Sequence, residues 1–206
     1  MRSPIVVVTG GIATGKSTVA RIFSERGGAL IDCDAIGHEA LDSDDVKRDV
    51  VRRFGRRVLT PSGRVSRVKL GRLVFSDDRL LERLNRIIRP ALKGMIRDEV
   101  AERRKNARYI VLDAVLFFQY TFRFKVDLVI RTDAPRGVRV GRLVRRDKMA
   151  RTEALDRVER QEHLERDWRR ADMTVRTDVP MPRLRRRVAG IRDRFLESHG
   201  LLRGEE

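Results

Sequence analysis

Residues 5–18 read Ile5-Val6-Val7-Val8-Thr9-Gly10-Gly11-Ile12-Ala13-Thr14-Gly15-Lys16-Ser17-Thr18, and the order of types in this stretch decides the fold. Ile5–Val8 is a short β-branched run, the kind that makes a strand buried on both faces. Gly10 to Ser17 then satisfies the G-x-x-x-x-G-K-[ST] phosphate-loop pattern. Val19, Ile22 and Phe23 follow at helical spacing, so strand, glycine loop and helix N-terminus succeed one another as the pattern requires. The glycines let successive backbone N–H groups turn toward one anion, and the helix start adds its partial positive charge. A chance match in a glycine-rich turn is the competing reading, and the flanking strand and helix argue against it. Gly11, Ile12, Ala13, Thr14, Gly15, Lys16, Ser17 and Thr18 are thus the expected nucleoside-triphosphate site. Lys16 can reach the terminal phosphates, and the Ser17 hydroxyl is placed to ligate magnesium.

The 206 residues suffice for one sizeable core and a small inserted subdomain. No stretch approaches the roughly 20 apolar residues of a membrane span. The N-terminus runs straight into the first strand, which leaves no room for a signal peptide and predicts a cytoplasmic chain. Cys33 is the only cysteine, which excludes an internal disulfide and suits a reducing compartment. His38, His163 and His199 share no metal-ligand spacing, so a zinc site is not expected. The net charge of +17 fits either a nucleic-acid binder or an enzyme of small, heavily phosphorylated molecules. Aromatic residues make up only 5% and do not interleave with basic runs, which disfavours nucleic acid as a main partner.

Working outward, Gly27-Gly28 ends the first helix and Ala29-Leu30-Ile31 makes a second strand finishing in Asp32-Cys33-Asp34. Helical spacing runs through Ile36, Ala40 and Leu41, and again from Val46 to Phe54. Thr60–Gly63 reads as a turn and 68–75 as a helix. A further helix is expected from Asp77 to about Ile88, and Pro90 is expected to open another running to about Lys105. Strands return at Tyr109–Asp113, Val126–Ile130 and Met173–Val175. An arginine-dense helical stretch runs from Gly137 to about Arg170, and Leu184, Val188, Ile191 and Phe195 mark a C-terminal helix over 182–202. The expectation is a single α/β domain around a five-stranded parallel sheet. Its core covers about 1–57, 107–140 and 171–206, with a helical insertion at 58–106 and a lid at 141–170.

In an open parallel sheet, ligands sit beyond the carboxyl ends of the strands, where Asp32 and Asp34 fall. One of them, Asp34 by preference, is placed to orient and deprotonate a phosphoryl acceptor; both also suit helix caps. Asp32 suits magnesium-bound water. Asp113 ends the strand after the insertion, where it either holds a water on magnesium or caps a turn. Arg142 and Arg146 are four apart and share a helix face, so they either clamp a transferring phosphoryl group or form a solvated basic face. Arg157 and Gln161 present the same pair of alternatives. Cys33 is expected to be a small buried hydrophobe, and Trp168 to pack the arginine-rich helix onto a neighbour.

The segments TGGIATGKSTVARIF, IDCDAIGHEAL, FGRRVL, LGRLVF, LNRIIRPAL, VLDAVLFF, RLVRRD and EALDRVERQ, in that order, resemble the dephospho-coenzyme A kinase family. The resemblance implies a phosphate-loop kinase core with a helical acceptor-binding insertion and an arginine-bearing lid. It also implies ATP as donor, Mg2+ as cofactor and transfer to the ribose 3′-hydroxyl of dephospho-coenzyme A. By resemblance Asp34 is the base, while Lys16, Arg142 and Arg146 carry the phosphoryl charge. Ser17 takes the magnesium, with Asp32 or Asp113 through water. Arg157 and Gln161 match the lid's R-x-x-x-Q pattern, and Arg67 matches an arginine of the acceptor insertion. Arg89 stands where the family usually has histidine; Val115 and Gln119 replace a proline and a glutamate; Ser66 replaces an acidic or amide residue; and 176–178 replaces an asparagine-containing loop. The implied partners are small molecules, with the chain a monomer or weak homo-oligomer and no membrane association.

Overall fold

The computed structural model describes residues 3–74 and 77–202. Five strands, β1 (Ile5–Thr9), β2 (Gly28–Asp32), β3 (Tyr109–Asp113), β4 (Leu128–Asp133) and β5 (Met173–Arg176), form one parallel sheet in the order β2-β3-β1-β4-β5. β1 lies at its centre, with Ile5 opposite Ile110 of β3 and Val6 opposite Leu128 of β4. All five residues of β1 and of β3 are buried, as expected for strands covered on both faces.

The helices among the described residues are α1 (Lys16–Ser24), α2 (Cys33–Asp42), α3 (Asp44–Phe54), α4 (Arg67–Val74), α5 (Asp78–Arg103), α6 (Arg136–Asp147), α7 (Arg151–Glu159), α8 (Glu165–Trp168) and α9 (Met181–Ser198). α1 and α9 bury Val19, Phe23, Val188 and Phe195 against Val6, Val8, Val111 and Ile130. Phe23, Tyr109 and Phe195 meet edge to face in this layer, with centroids 5.8–6.3 Å apart. The Tyr109 hydroxyl donates to the Phe23 carbonyl at 2.7 Å, so its one polar atom is satisfied inside the core.

The chain divides into two compact units, one of residues 1–32 and 100–206 and the other Cys33–Glu99. The second has its own core, in which Val46, Val50 and Phe54 of α3 meet Val58, Val65, Leu70, Val74 and Leu84. Their spacing of four is the apolar stripe of α3, and Asp44 and Asp45 in its first turn with Arg52 and Arg53 in its last complement the helix dipole. This boundary gives α2 and α3 to the helical unit, where the sequence reading kept residues up to about 57 with the sheet. The expected lid boundary at residue 141 falls inside α6.

Three expectations need correction. β2 ends at Asp32 and Cys33 already begins α2, so the strand does not run through Asp32-Cys33-Asp34; Asp34 lies in the first turn of α2. Pro90 does not open a helix but sits inside the single 26-residue α5. The proline costs about 3 kcal/mol in a helix interior. The buried stripe Leu84, Leu92, Ile96 and Val100 continues in register across it, and each such side chain contributes about 1.5–3 kcal/mol. Finally, β4 runs Leu128–Asp133 rather than 126–130, because Asp127 turns its carboxylate back to the Ile5 N–H at 2.9 Å. Of the helix expected over 68–75, α4 covers the part to Val74, and Phe75 lies outside the described residues.

Candidate active site

Between the end of β1 and the start of α1 the chain turns through Gly10, Ala13 and Gly15, all at positive φ (135°, 59° and 88°). Gly10 has no substitute, since a Cβ there would lie 2.5 Å from Thr132 Oγ1 and 2.6 Å from its carbonyl oxygen. At Gly11 a Cβ would fall 2.5 Å from Arg139 Nη2 and 3.1 Å from the Trp168 ring, so a side chain there would push the guanidinium aside. Ala13 takes the left-handed conformation without being glycine, at a cost of about 1–2 kcal/mol.

Side chains from far along the chain hold this loop. Arg139 Nε donates to the Ile12 carbonyl at 3.0 Å, Arg142 Nη1 to the Ala13 carbonyl at 3.0 Å, and Thr177 Oγ1 to the Thr14 carbonyl at 2.6 Å. The Ile12 N–H donates to Gln161 Oε1 at 2.6 Å. Below the loop Thr14 Oγ1 donates to the Gly11 carbonyl at 2.7 Å and meets Thr132 Oγ1 at 2.7 Å. Lys16, the first residue of α1, is 8% exposed and pairs through Nζ with the 2% exposed Asp113. Asp113 stands opposite Asp32 in the β2–β3 register, which puts two carboxylates at neighbouring strand ends. Ser17 is exposed in the first turn of α1. Burial lowers the pKa of both Arg139 and Arg142.

This arrangement, a helix N-terminus behind a clasped glycine loop with a buried lysine, is of the kind that suits a polyphosphate. A family model described as dephospho-CoA kinase matches residues 4–182. The chain belongs to the dephospho-CoA kinase family. The dephospho-CoA kinase of Bacillus licheniformis is 34% identical over 175 residues, 83% of this chain and 86% of that one. The solved structure of TT1252 from Thermus thermophilus is 27% identical, covers 94% of this chain and 98% of its own, and superposes with a TM-score of 0.77. Dephospho-CoA kinase from Campylobacter jejuni shares the fold at a TM-score of 0.58 and 22% identity, over 93% of this chain and 97% of its own. The chain is therefore a kinase, and its reaction is the family's, the last step of coenzyme A synthesis.

The residues expected from the dephospho-CoA kinase pattern divide between the two units. Lys16, Ser17, Asp113, Gln119, Arg142, Arg146, Arg157 and Gln161 belong to the sheet unit, and Asp34, Arg67 and Arg89 to the helical unit. Within the sheet unit, Arg142 and Arg146 share a helix but not a target. Arg142 is half-buried on Ala13 and Thr177, whereas Arg146 is exposed and grips Asp147 at 2.7 and 2.9 Å. That hydrogen bond raises the pKa of Arg146 and lowers that of Asp147. Arg157 and Gln161 do not even share a helix, because α7 ends at Glu159. Arg157 pairs with Glu153 at 2.9 Å while Gln161 reaches the loop. Gln119 sits in a 3-10 turn, Phe117–Gln119, beside stacked Phe117, Phe122 and Phe124.

In the helical unit Asp34 and Arg67 are exposed, and Arg89 pairs with Glu82 at 3.2 Å. Ser66 accepts the Lys69 N–H at 3.3 Å and so starts α4. Cys33 is buried, and Trp168 packs at Gly11 with its Nε1 donating to the Val115 carbonyl at 3.0 Å.

Among the described residues no three His, Cys, Asp or Glu form a metal-ligating group. Mg2+ does not need one: it keeps several waters and takes one or two protein oxygens beside substrate phosphates. The exposed Ser17 hydroxyl, with Asp32 and Asp113 at adjacent strand ends, is a donor set of that hard-oxygen kind. Among the described residues no helix is long and apolar enough to cross a membrane.

Proposed function

We propose that the chain transfers the γ-phosphoryl group of ATP to the ribose 3′-hydroxyl of dephospho-CoA, with the polyphosphate held by the main chain of Gly11–Thr18. The observation that carries this reading is the loop itself. The carbonyls of Ile12, Ala13 and Thr14 are each held by a side-chain donor, in front of the start of α1 and the buried Lys16. Phosphoryl transfer asks chiefly for positioning and charge stabilisation. Lys16 exchanges Asp113 for the phosphate oxygens, and Asp34 accepts the acceptor's hydroxyl proton. Arg142 and Arg146 face charge developing on the transferred group, Arg146 by leaving Asp147. Ser17 would hold Mg2+, with Asp32 or Asp113 through water, and the ion would supply positive charge to the phosphates. Arg67, Arg89, Gln119, Arg157 and Gln161 are the proposed acceptor and lid contacts, and the buried thiol of Cys33 suits a cytoplasmic setting.

A coupled ADP-release assay over a panel of alcohol acceptors tests the reading. Turnover with dephospho-CoA is expected to exceed every other acceptor in the panel. Turnover with a different nucleoside-containing acceptor, and none with dephospho-CoA, overturns the choice of acceptor.

A further inference from the structure

The loop's carbonyl clasp has three donors, Arg139, Arg142 and Thr177, all outside the phosphate-loop pattern, and one of them, Thr177, stands at the edge of the sheet. We propose that Thr177 is a positioning residue for ATP, acting through the peptide planes of the phosphate loop. The inference rests on ATP occupying that loop. Thr177 is 2% exposed and lies just past the end of β5, where its own N–H donates to the Asp133 carbonyl at 2.9 Å and so prolongs the β4–β5 ladder. A threonine hydroxyl has one hydrogen to give and lone pairs to accept with. Here the hydrogen goes to the Thr14 carbonyl at 2.6 Å, and Thr177 Oγ1 in turn accepts from Arg142 Nη1 at 3.0 Å. The Thr177 carbonyl accepts from Arg142 Nη2 at 2.7 Å. Arg142, thus oriented, holds the Ala13 carbonyl. The side chain also lies under Gly15, whose added Cβ would come within 3.2–3.3 Å of Thr177 Oγ1, Cβ and Cγ2.

The consequence follows from the planar trans peptide, in which C=O and N–H point in opposite directions. Fixing the Thr14 carbonyl on Thr177 turns the Gly15 N–H the other way. Fixing the Ile12 carbonyl on Arg139 does the same for the Ala13 N–H. The Thr14 N–H is spent on the Gly11 carbonyl at 3.2 Å. Thr177 therefore sets the direction of a donor on the anion side without touching the anion. It does so from the rigid edge of the sheet, and it orients Arg142 in the same act.

The test compares Thr177→Val, which keeps the shape and loses the hydroxyl, with Thr177→Ser, which keeps the hydroxyl and loses the methyl. Full-length enzyme is assayed for kcat, for KM with each substrate and for ATP Kd by calorimetry, with thermal unfolding in parallel. Loss of two buried hydrogen bonds is expected to raise ATP KM and Kd about tenfold in Thr177→Val, leaving KM for dephospho-CoA within about twofold. Thr177→Ser is expected to restore ATP KM to within about threefold of wild type. Should the valine variant not fold, Thr177→Ala carries the same expectation. Wild-type ATP KM and Kd in the hydroxyl-free variant overturn the proposal. So does an equal rise in both KM values, or an equal loss in valine and serine variants. Wild-type enzyme that fails to bind ATP at all is a separate result and removes the kinase reading instead.

Discussion

The phosphate loop and the helical unit hold their polar residues on different terms. Around the loop, partners come from far along the chain: Ile12 with Arg139 and Gln161, Ala13 with Arg142, Thr14 with Thr132 and Thr177, Lys16 with Asp113. Most of these groups are buried or half-buried, and their geometry is fixed when the chain folds. In Cys33–Glu99 the apolar residues make the core while Asp34 and Arg67 stay exposed, and the partner of Arg89 is Glu82, seven residues back on the same helix. The difference teaches where preorganisation is invested. The contacts of the loop are set in advance by folding, whereas Asp34, Arg67 and Arg89, proposed to serve the acceptor, sit on helices that a core of their own supports.

The sharpest way to break this contrast is Lys16→Ala. It is expected to cut turnover by about a thousandfold, as loss of a transition-state charge contact does. It also leaves Asp113 buried without the lysine, so unfolding temperature should fall as well. Near-normal kcat would detach the cradle from the chemistry. Asp34→Asn comes next: about a hundredfold or greater loss in kcat is expected with ATP Kd unchanged. A change in ATP affinity instead would tie this exposed carboxylate to the donor side. Arg67→Ala should raise KM for dephospho-CoA about tenfold and leave ATP KM alone. Equal effects on both substrates would erase the division of labour between the regions.

A stability measurement sharpens the comparison from the sheet side. Burial pushes the Tyr109 phenol from 10.0 to about 12, so the folded state favours its neutral form. That contribution is complete below pH 10 and is lost as pH rises through about 12. The stability difference between wild type and Tyr109→Phe should therefore shrink across that window by on the order of 2 kcal/mol. A difference that stays flat in denaturant titrations at pH 9 and pH 11.5 would show the phenol titrating alike in folded and unfolded chains.

The loop, the five strands and the C-terminal helix were legible in the sequence because each follows from a local run of residue types. Pro90 misled because a local breaker was weighed without the stripe Leu84, Leu92, Ile96 and Val100 that overrides it. Spacing put Arg142 and Arg146 on one helix face but did not choose where each long side chain ends, on Ala13 and on Asp147. Arg139, Thr132 and Thr177 carried no signal of their own, since a lone arginine or threonine acquires its role only from a loop more than 100 residues away. Trp168 was expected to pack onto a neighbour; that this neighbour is Gly11 needed the fold.

The register of β1 bears on how the enzyme is made. Its pairing partners, Ile110–Asp113 on one side and Leu128–Arg131 on the other, are translated more than 100 residues later. A ribosome that has just delivered Lys16 and Ser17 must add most of the remaining chain before the strand leading into them can be enclosed. Nucleotide capture is thus a late event in the nascent chain's life. Until then a β-branched run waits unpaired, a time of exposure to wrong partners that the cell's chaperones must cover.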